Sequence, residues 1–142
     1  MNSEETARKV VHKMMSHDRF SQWLGIEVIE TGKGFSALKM TVRDEMLNGF
    51  DILHGGVTFS LADSALAFAS NSYGIISVVL DAGMSFPAPV HSGDELIAVC
   101  KELNLTNKTG IYEVIITKNN SEKVGIFKGI VYRTGKQHFP EN

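Results

Sequence analysis

The chain has too little cysteine for an internal disulfide. Its single thiol, Cys100, stands among 142 residues with no CxxC or Cys/His spacing around it, which excludes a disulfide framework and a thiolate zinc site and favours a reduced, cytoplasmic setting. Five histidines are scattered without ligand spacing, so no metal centre is expected. Basic residues number 14 against 16 acidic ones and form no patch. Phosphate-backbone binding needs such a patch, and nucleic acid is excluded as a partner. No Gly-x-Ser-x-Gly elbow, P-loop or dinucleotide fingerprint occurs, which removes several enzyme classes. The first residues, Asn2-Ser3-Glu4-Glu5, are polar and acidic rather than a basic segment leading into an apolar one. Neither secretion nor membrane insertion is expected. No repeat, low-complexity run or linker divides the chain, and a single domain over 1–142 follows.

What is present centres on residues 48–74, NGFDILHGGVTFSLADSALAFASNSYG. A helix is expected to begin just after His54-Gly55-Gly56, apolar on nearly every face, with one carboxylate, Asp63, set into it. Thr58, Ser60, Asp63 and Ser64 interrupt it too often for a bilayer span, so it reads as a buried central helix. An ionised carboxylate buried without partners costs several kcal/mol, roughly, which makes Asp63 the leading functional candidate.

Around this helix the pattern is simple. Ser3 with Glu4 and Glu5 reads as the start of a short N-terminal helix, with Val10, Val11, Met14 and Met15 on one face and a break over 18–22. Ile26 and Val28 lead into the turn residues Gly32-Lys33-Gly34. A second strand follows, with Leu38, Met40 and Val42 on one side and Ala37, Lys39 and Thr41 on the other. After the central helix, 75–86, 95–105, 110–118 and 124–133 read as strands separated by turn chemistry, and the polar tail 135–142 reads as loose. Short turns imply antiparallel neighbours. The sum is an α+β domain in which an antiparallel sheet wraps around one long helix, the hotdog arrangement. Ala62, Ala65, Ala67 and Ala69 allow close approach. Several strands are apolar on both faces, and the face the helix leaves bare implies a homo-oligomer.

The chemistry resides between His54 and Asp63. Glycines at a helix mouth let a ligand reach the first backbone amides, which are unpaired donors at the positive end of the helix. A polarised ester or thioester carbonyl can accept from the Gly55 amide; a tight strand-to-helix turn explains Gly55 and Gly56 equally well. Asp63 lies eight residues further on, about 12 Å at ~1.5 Å per residue, too far to share one carbonyl within a subunit. Two copies with antiparallel helices would bring the mouth of one helix beside the middle of the other. Asp63 there can attack an acyl carbon or act as base for water; otherwise it is a core carboxylate bonded to Ser64 or Thr58. His54 fixes the turn, and Asn48 orients a water or holds its own loop. Lys108 and Arg133, with Lys128 and Lys136, are candidates for meeting substrate phosphates, against a reading as solvated surface charge.

The elements Met46-Leu47-Asn48-Gly49, His54-Gly55-Gly56 and Leu61-Ala62-Asp63, with Thr109-Gly110-Ile111-Tyr112 and Phe127-Lys128-Gly129, resemble hotdog-fold acyl-CoA thioesterases of the phenylacetyl-CoA thioesterase type. The resemblance implies that Asp63 is the nucleophile or general base, that the Gly55 amide polarises the thioester carbonyl, and that Asn48 and His54 serve the same site. It also implies an acyl-CoA substrate, no metal or prosthetic group, and a dimer with shared sites paired again into a tetramer. Val78-Val79-Leu80 stands where some relatives place a serine that positions water. Phe50 is expected to narrow or line the acyl pocket, beside Gly56. A non-catalytic acyl-CoA-binding module on the same fold is the alternative, and a hydratase the third reading.

Overall fold

The structure is a computed structural model that describes residues 2–119 and 121–140. Helices α1 (Ser3–His17) and α2 (Arg19–Leu24) precede strands β1 (Glu27–Gly32) and β2 (Phe35–Thr41). A 3-10 turn, Asp44–Met46, leads to the long helix α3 (Gly55–Asn71). Strands β3 (Ile75–Ser85), β4 (Glu95–Leu105), β5 (Thr109–Lys118) and β6 (Glu122–Gln137) complete the chain. They form one antiparallel sheet in the order β1-β2-β4-β5-β6-β3. Helix α3 carries the chain from β2 across the concave face to the opposite edge, and the later strands fill the gap between. This is the expected hotdog arrangement.

The alternation that marks the strands also builds the core. In β5, Gly110, Tyr112, Val114 and Ile116 face inward; in β4, Leu96, Ala98 and Cys100 do. Against them α3 buries Leu61, Ala62, Ala65, Leu66, Phe68 and Ala69. Alanines at three of these six positions bring the helix backbone close to the sheet, and Gly129 continues that fit: a Cβ there would stand 2.5 Å from Leu66 Cδ2. Burial of Cys100 pushes its thiol well above the usual range, which leaves it unreactive.

Three expectations at the ends of the chain are corrected. The α1 cap is Asn2, not Ser3: Asn2 Oδ1 accepts from the Glu5 N–H at 2.8 Å, and Ser3 is the first helical residue. The expected break over 18–22 is confined to Asp18, and residues 19–24 form α2. Asp18 ends α1 and caps the next helix, and Gly25 closes it in the left-handed conformation at φ 77°. At the other end, β6 does not stop near 133. It runs to Gln137, paired with Ile75, and His138 follows it into place. The His138 N–H donates to Gly74 O at 2.8 Å, and Lys13 Nζ donates to His138 O at 2.7 Å. The expected loose tail is thus ordered through His138; its residues 141 and 142 lie outside the described residues.

Asn71, buried at the end of α3, joins these pieces. Its Nδ2 donates to Ala67 O at 2.8 Å and Ser77 O at 3.2 Å, while Oδ1 accepts from the Ser77 N–H at 2.9 Å and lies 2.7 Å from His138 Nε2. Burial, reinforced by Lys13, holds His138 below its ordinary pKa, so its neutral ring donates to Asn71. Replacing Asn71 by alanine leaves the Ser77 N–H and His138 Nε2 without their acceptor in a buried site. Asn71→Ala is expected to lower stability by about 2–3 kcal/mol in urea unfolding with little change in slope.

Candidate active site

The site begins with a loop that is tied down on both sides. Leu47 and Leu53 bridge each other, the Leu53 N–H donates to Val90 O at 2.7 Å, and the His54 N–H donates to Met46 O at 3.0 Å. Between them Asn48 folds the turn: Oδ1 accepts from the Phe50 N–H at 2.9 Å and the Ile52 N–H at 3.4 Å. Two backbone donors fix which end of the amide is oxygen. Its Nδ2 has no partner among the described residues. The loop-holding and substrate-facing readings of Asn48 are therefore compatible, one for each end of the amide.

His54 is the N-cap of α3. Its Nδ1 accepts from the Gly56 N–H at 2.9 Å, which places the ring proton on Nε2, and its carbonyl accepts from the Val57 N–H at 2.9 Å. The Gly55 N–H is left with no acceptor among the described residues. A Cβ on Gly56 would stand 3.0 Å from His54 Nδ1, so the second glycine makes room for the capping ring. A Cβ on Gly55 would stand 3.4 Å from the ring of Phe86. Gly55 thus stands at the positive end of a 17-residue helix and lines a cavity of about 380 Å3 together with Asn48, Ile52, Thr58, Phe86 and the loop 87–90.

Asp63 is half-buried rather than enclosed, because α3 is not covered on every side. Gly56 is exposed, and Ser60, Asp63 and Ala67 are half-buried. At intervals of four, three and four residues they form one stripe along the helix. The Asp63 carboxylate has no hydrogen bond or ion pair among the described residues. Neither neighbour proposed to hold it does so: Ser64 Oγ instead bonds Ser21 Oγ at 2.7 Å. Burial, then the negative charge of Asp18, raises the Asp63 pKa above the ordinary carboxylate value.

Other candidates lie elsewhere. Phe50, at the tip of the Asn48 loop, is 86% exposed and does not line the cavity; Ile52 and Phe86 take that place. Lys108 and Arg133 sit at the far end of α3, about 25 Å from Gly55 by helix length. The Arg133 guanidinium donates to Thr106 O at 3.1 Å and lies 5.4 Å over the Tyr73 ring. Tyr73 and Tyr112 both donate to Glu102 Oε1, at 2.7 and 2.9 Å. Burial, then this bond, pushes the Tyr73 hydroxyl up to about 12. Among the described residues no group of three or more His, Cys, Asp or Glu side chains could hold a metal ion, and no helix is long and apolar enough to cross a membrane.

The sequence pattern of the thioesterase superfamily matches residues 50–124, which hold the Gly55 helix mouth, Asp63 and the cavity loop. The chain belongs to that superfamily. It is 37% identical over 124 residues to the acyl-coenzyme A thioesterase PaaI of Escherichia coli K12, covering 87% of this chain and 89% of that protein. The solved structure of E. coli PaaI, from the phenylacetic acid degradation operon, superimposes with a TM-score of 0.93 at 34% identity, over 96% of this chain and 99% of the other. The TT0310 protein of Thermus thermophilus matches with a TM-score of 0.79 at 34% identity, over 82% and 98%.

The thioesterase holds Asp63 at a cost to its own stability. A carboxyl whose folded-state pKa is raised contributes fully below its unfolded value, and that contribution is lost as pH rises through the folded value. Asp63→Asn is therefore expected to raise Tm at pH 7, with the gain over wild type narrowing as pH falls toward about 4. Thermal melts across that window check both signs.

Proposed function

We propose that this thioesterase hydrolyses an acyl-CoA to a free acid and CoA, in a site built by two copies of the chain. The observation that carries the reading is the Gly55 N–H, unpaired among the described residues, on a residue that lines a cavity at a helix N-terminus. It is a donor prearranged for charge that builds on a carbonyl oxygen. Asp63 supplies the electron pair. Its carboxylate either attacks the acyl carbon, forming a tetrahedral adduct whose collapse expels the CoA thiolate and leaves a mixed anhydride for water, or takes a proton from a water that attacks. Both routes place an oxyanion at Gly55. Asn48 Nδ2 faces the same chemistry, and His54 holds the helix mouth open by capping Gly56. The operon of E. coli PaaI, for phenylacetic acid degradation, supports an aryl-acetyl group as the first substrate to try, with medium-chain acyl groups as the alternative. Under this reading the chain is a single hotdog domain working in the cytoplasm, consistent with its buried lone thiol.

Two features support a dimer. Strand β3 is a sheet edge of 11 residues, paired on one side with β6 and exposing Val78, Val79 and Leu80. The stripe Gly56, Ser60, Asp63 and Ala67 is narrow enough for a second α3 to lie against it. An antiparallel crossing near Ser60 sets Asp63 of each copy beside the helix mouth of the other. The outer sheet face, with Leu103 and Ile126 exposed, then suits a second pairing into a tetramer.

Thiol release from acetyl-, medium-chain, long-chain and aryl-acetyl-CoA tests the reaction. Asp63→Asn is expected to lose at least about a thousandfold in kcat with little change in KM. Binding of several acyl-CoAs without cleavage by wild type would favour the binding-module reading instead. Gly55→Pro removes the donor while suiting the first helical position, because His54 already has the extended conformation that precedes proline, φ −61° and ψ 130°. That variant is expected to lose roughly a hundredfold or more in kcat. Coexpressed Asp63→Asn and Gly55→Pro chains should regain activity in mixed dimers, since one of the two shared sites is then intact. Failure to regain it would overturn the shared site.

A further inference from the structure

The cavity beside Gly55 has a gradient of burial. Phe86, whose ring stands against Gly55, is 51% exposed, whereas Thr58 and Val124 of the same lining are 3% and 1% exposed. The space therefore deepens from the helix mouth toward Thr58 and Val124. No ionisable side chain lines it. The Thr58 hydroxyl has no hydrogen-bond partner among the described residues, which leaves a buried polar group for an occupant to meet. One wall is held in advance. Its loop carries Pro87 and Pro89, whose rings fix the backbone. The Pro89 carbonyl accepts from Lys118 Nζ at 2.8 Å, and the Val90 carbonyl accepts from the Leu53 N–H at 2.7 Å. A loop pinned on both sides leaves side-chain size to set the space inside.

We propose that this cavity receives the acyl group of the substrate and that Phe86 is the residue that limits the acyl group's width. The proposal rests on the reading of the Gly55 amide as donor to the thioester carbonyl. A carbonyl held there has two substituents, the acyl group and the sulfur that bears CoA. CoA carries phosphates, and a lining without a cation gives them no partner. The apolar substituent is the one that suits Ile52, Phe86, Pro87 and Val124. At about 380 Å3 the cavity lies near the lower end of small-molecule pockets, about 300–1,000 Å3, which matches a single ring or a chain of similar bulk. Phe86 stands beside the carbonyl position, so its ring opposes a second bulky group on the carbon next to the carbonyl. Ala88, half-buried in the same lining, leaves room further in because it is small.

Two variants of the full-length protein test this, one that empties the cavity and one that fills it. Both changes fall outside the closely packed core, at an exposed and a half-buried position. The readout is kcat/KM for acetyl-, phenylacetyl- and diphenylacetyl-CoA, taken as ratios between substrates. Phe86→Ala opens a space the size of a phenyl ring, and is expected to raise the ratio of diphenylacetyl- to phenylacetyl-CoA by about tenfold. Ala88→Leu is expected to lower the ratio of phenylacetyl- to acetyl-CoA by about tenfold. Ratios that stay at the wild-type values in both variants overturn the acyl assignment and leave hydrolysis standing. An equal loss on all three substrates also overturns it, because only the CoA arm is common to them. If wild type cleaves none of the three, hydrolysis itself fails, and the same ratios taken from Kd by titration calorimetry decide the cavity: a shift in the expected directions supports acyl binding there, and no shift overturns it.

Discussion

The close contact between α3 and the sheet is the constraint on which everything else depends. Ala62, Ala65 and Ala69 let a helix lie deep in the curve of six strands, and the strands answer with Leu96, Ala98, Tyr112, Val114 and Phe127. A helix held so firmly along its length has the two positions proposed for catalysis fixed by its own geometry. The Gly55 amide, unpaired among the described residues, and the carboxylate of Asp63 are eight residues apart on a rigid rod. Neither needs a loop to aim it, and rigid supports hold reacting groups better than loops do.

That rigidity has a counterpart in strain of an electrostatic kind. Asp63 is partly desolvated, stands near Asp18 and receives no hydrogen bond among the described residues. A sequence selected for stability alone would place an alanine or a serine there. The same holds for Gly55: an N–H without an acceptor at a helix mouth is an unmet obligation that a ligand can satisfy. Sites that hold such groups trade stability for chemistry.

Much of this was legible in the residues because it rests on periodicity. The alternation in β4 and β5 identified strands whose bounds lie within a residue of those observed, that in β2 found the strand but not its first two residues, and the small residues of α3 announced a helix packed closely on a sheet. What periodicity cannot carry was missed. Helix α2 has six residues, too few for a repeat, although Asp18 before it and Gly25 after it are the cap residues such a helix requires. The end of β6 is polar, and its order comes from partners at Asn71 and Lys13 that composition does not display. Phe86 reaches Gly55 across 31 positions and Ser21 reaches Ser64 across 43, contacts that only the folded chain creates. Lys108 and Arg133 were drawn into the site by charge type alone, and the topology sets them at the opposite end of α3.

The clasp at His138 bears on how the molecule comes into being. Lys13 and the His138 carbonyl are 125 positions apart, and the same histidine closes on Asn71 and Gly74. During synthesis α1 emerges long before His138 exists, and β6, between β5 and β3, can pair only after both neighbours have been made. Such a chain folds by long-range closure rather than by local zipping. Helix α1 therefore stays unlatched until His138 has been made, so the clasp that ties it to the end of α3 closes late in synthesis.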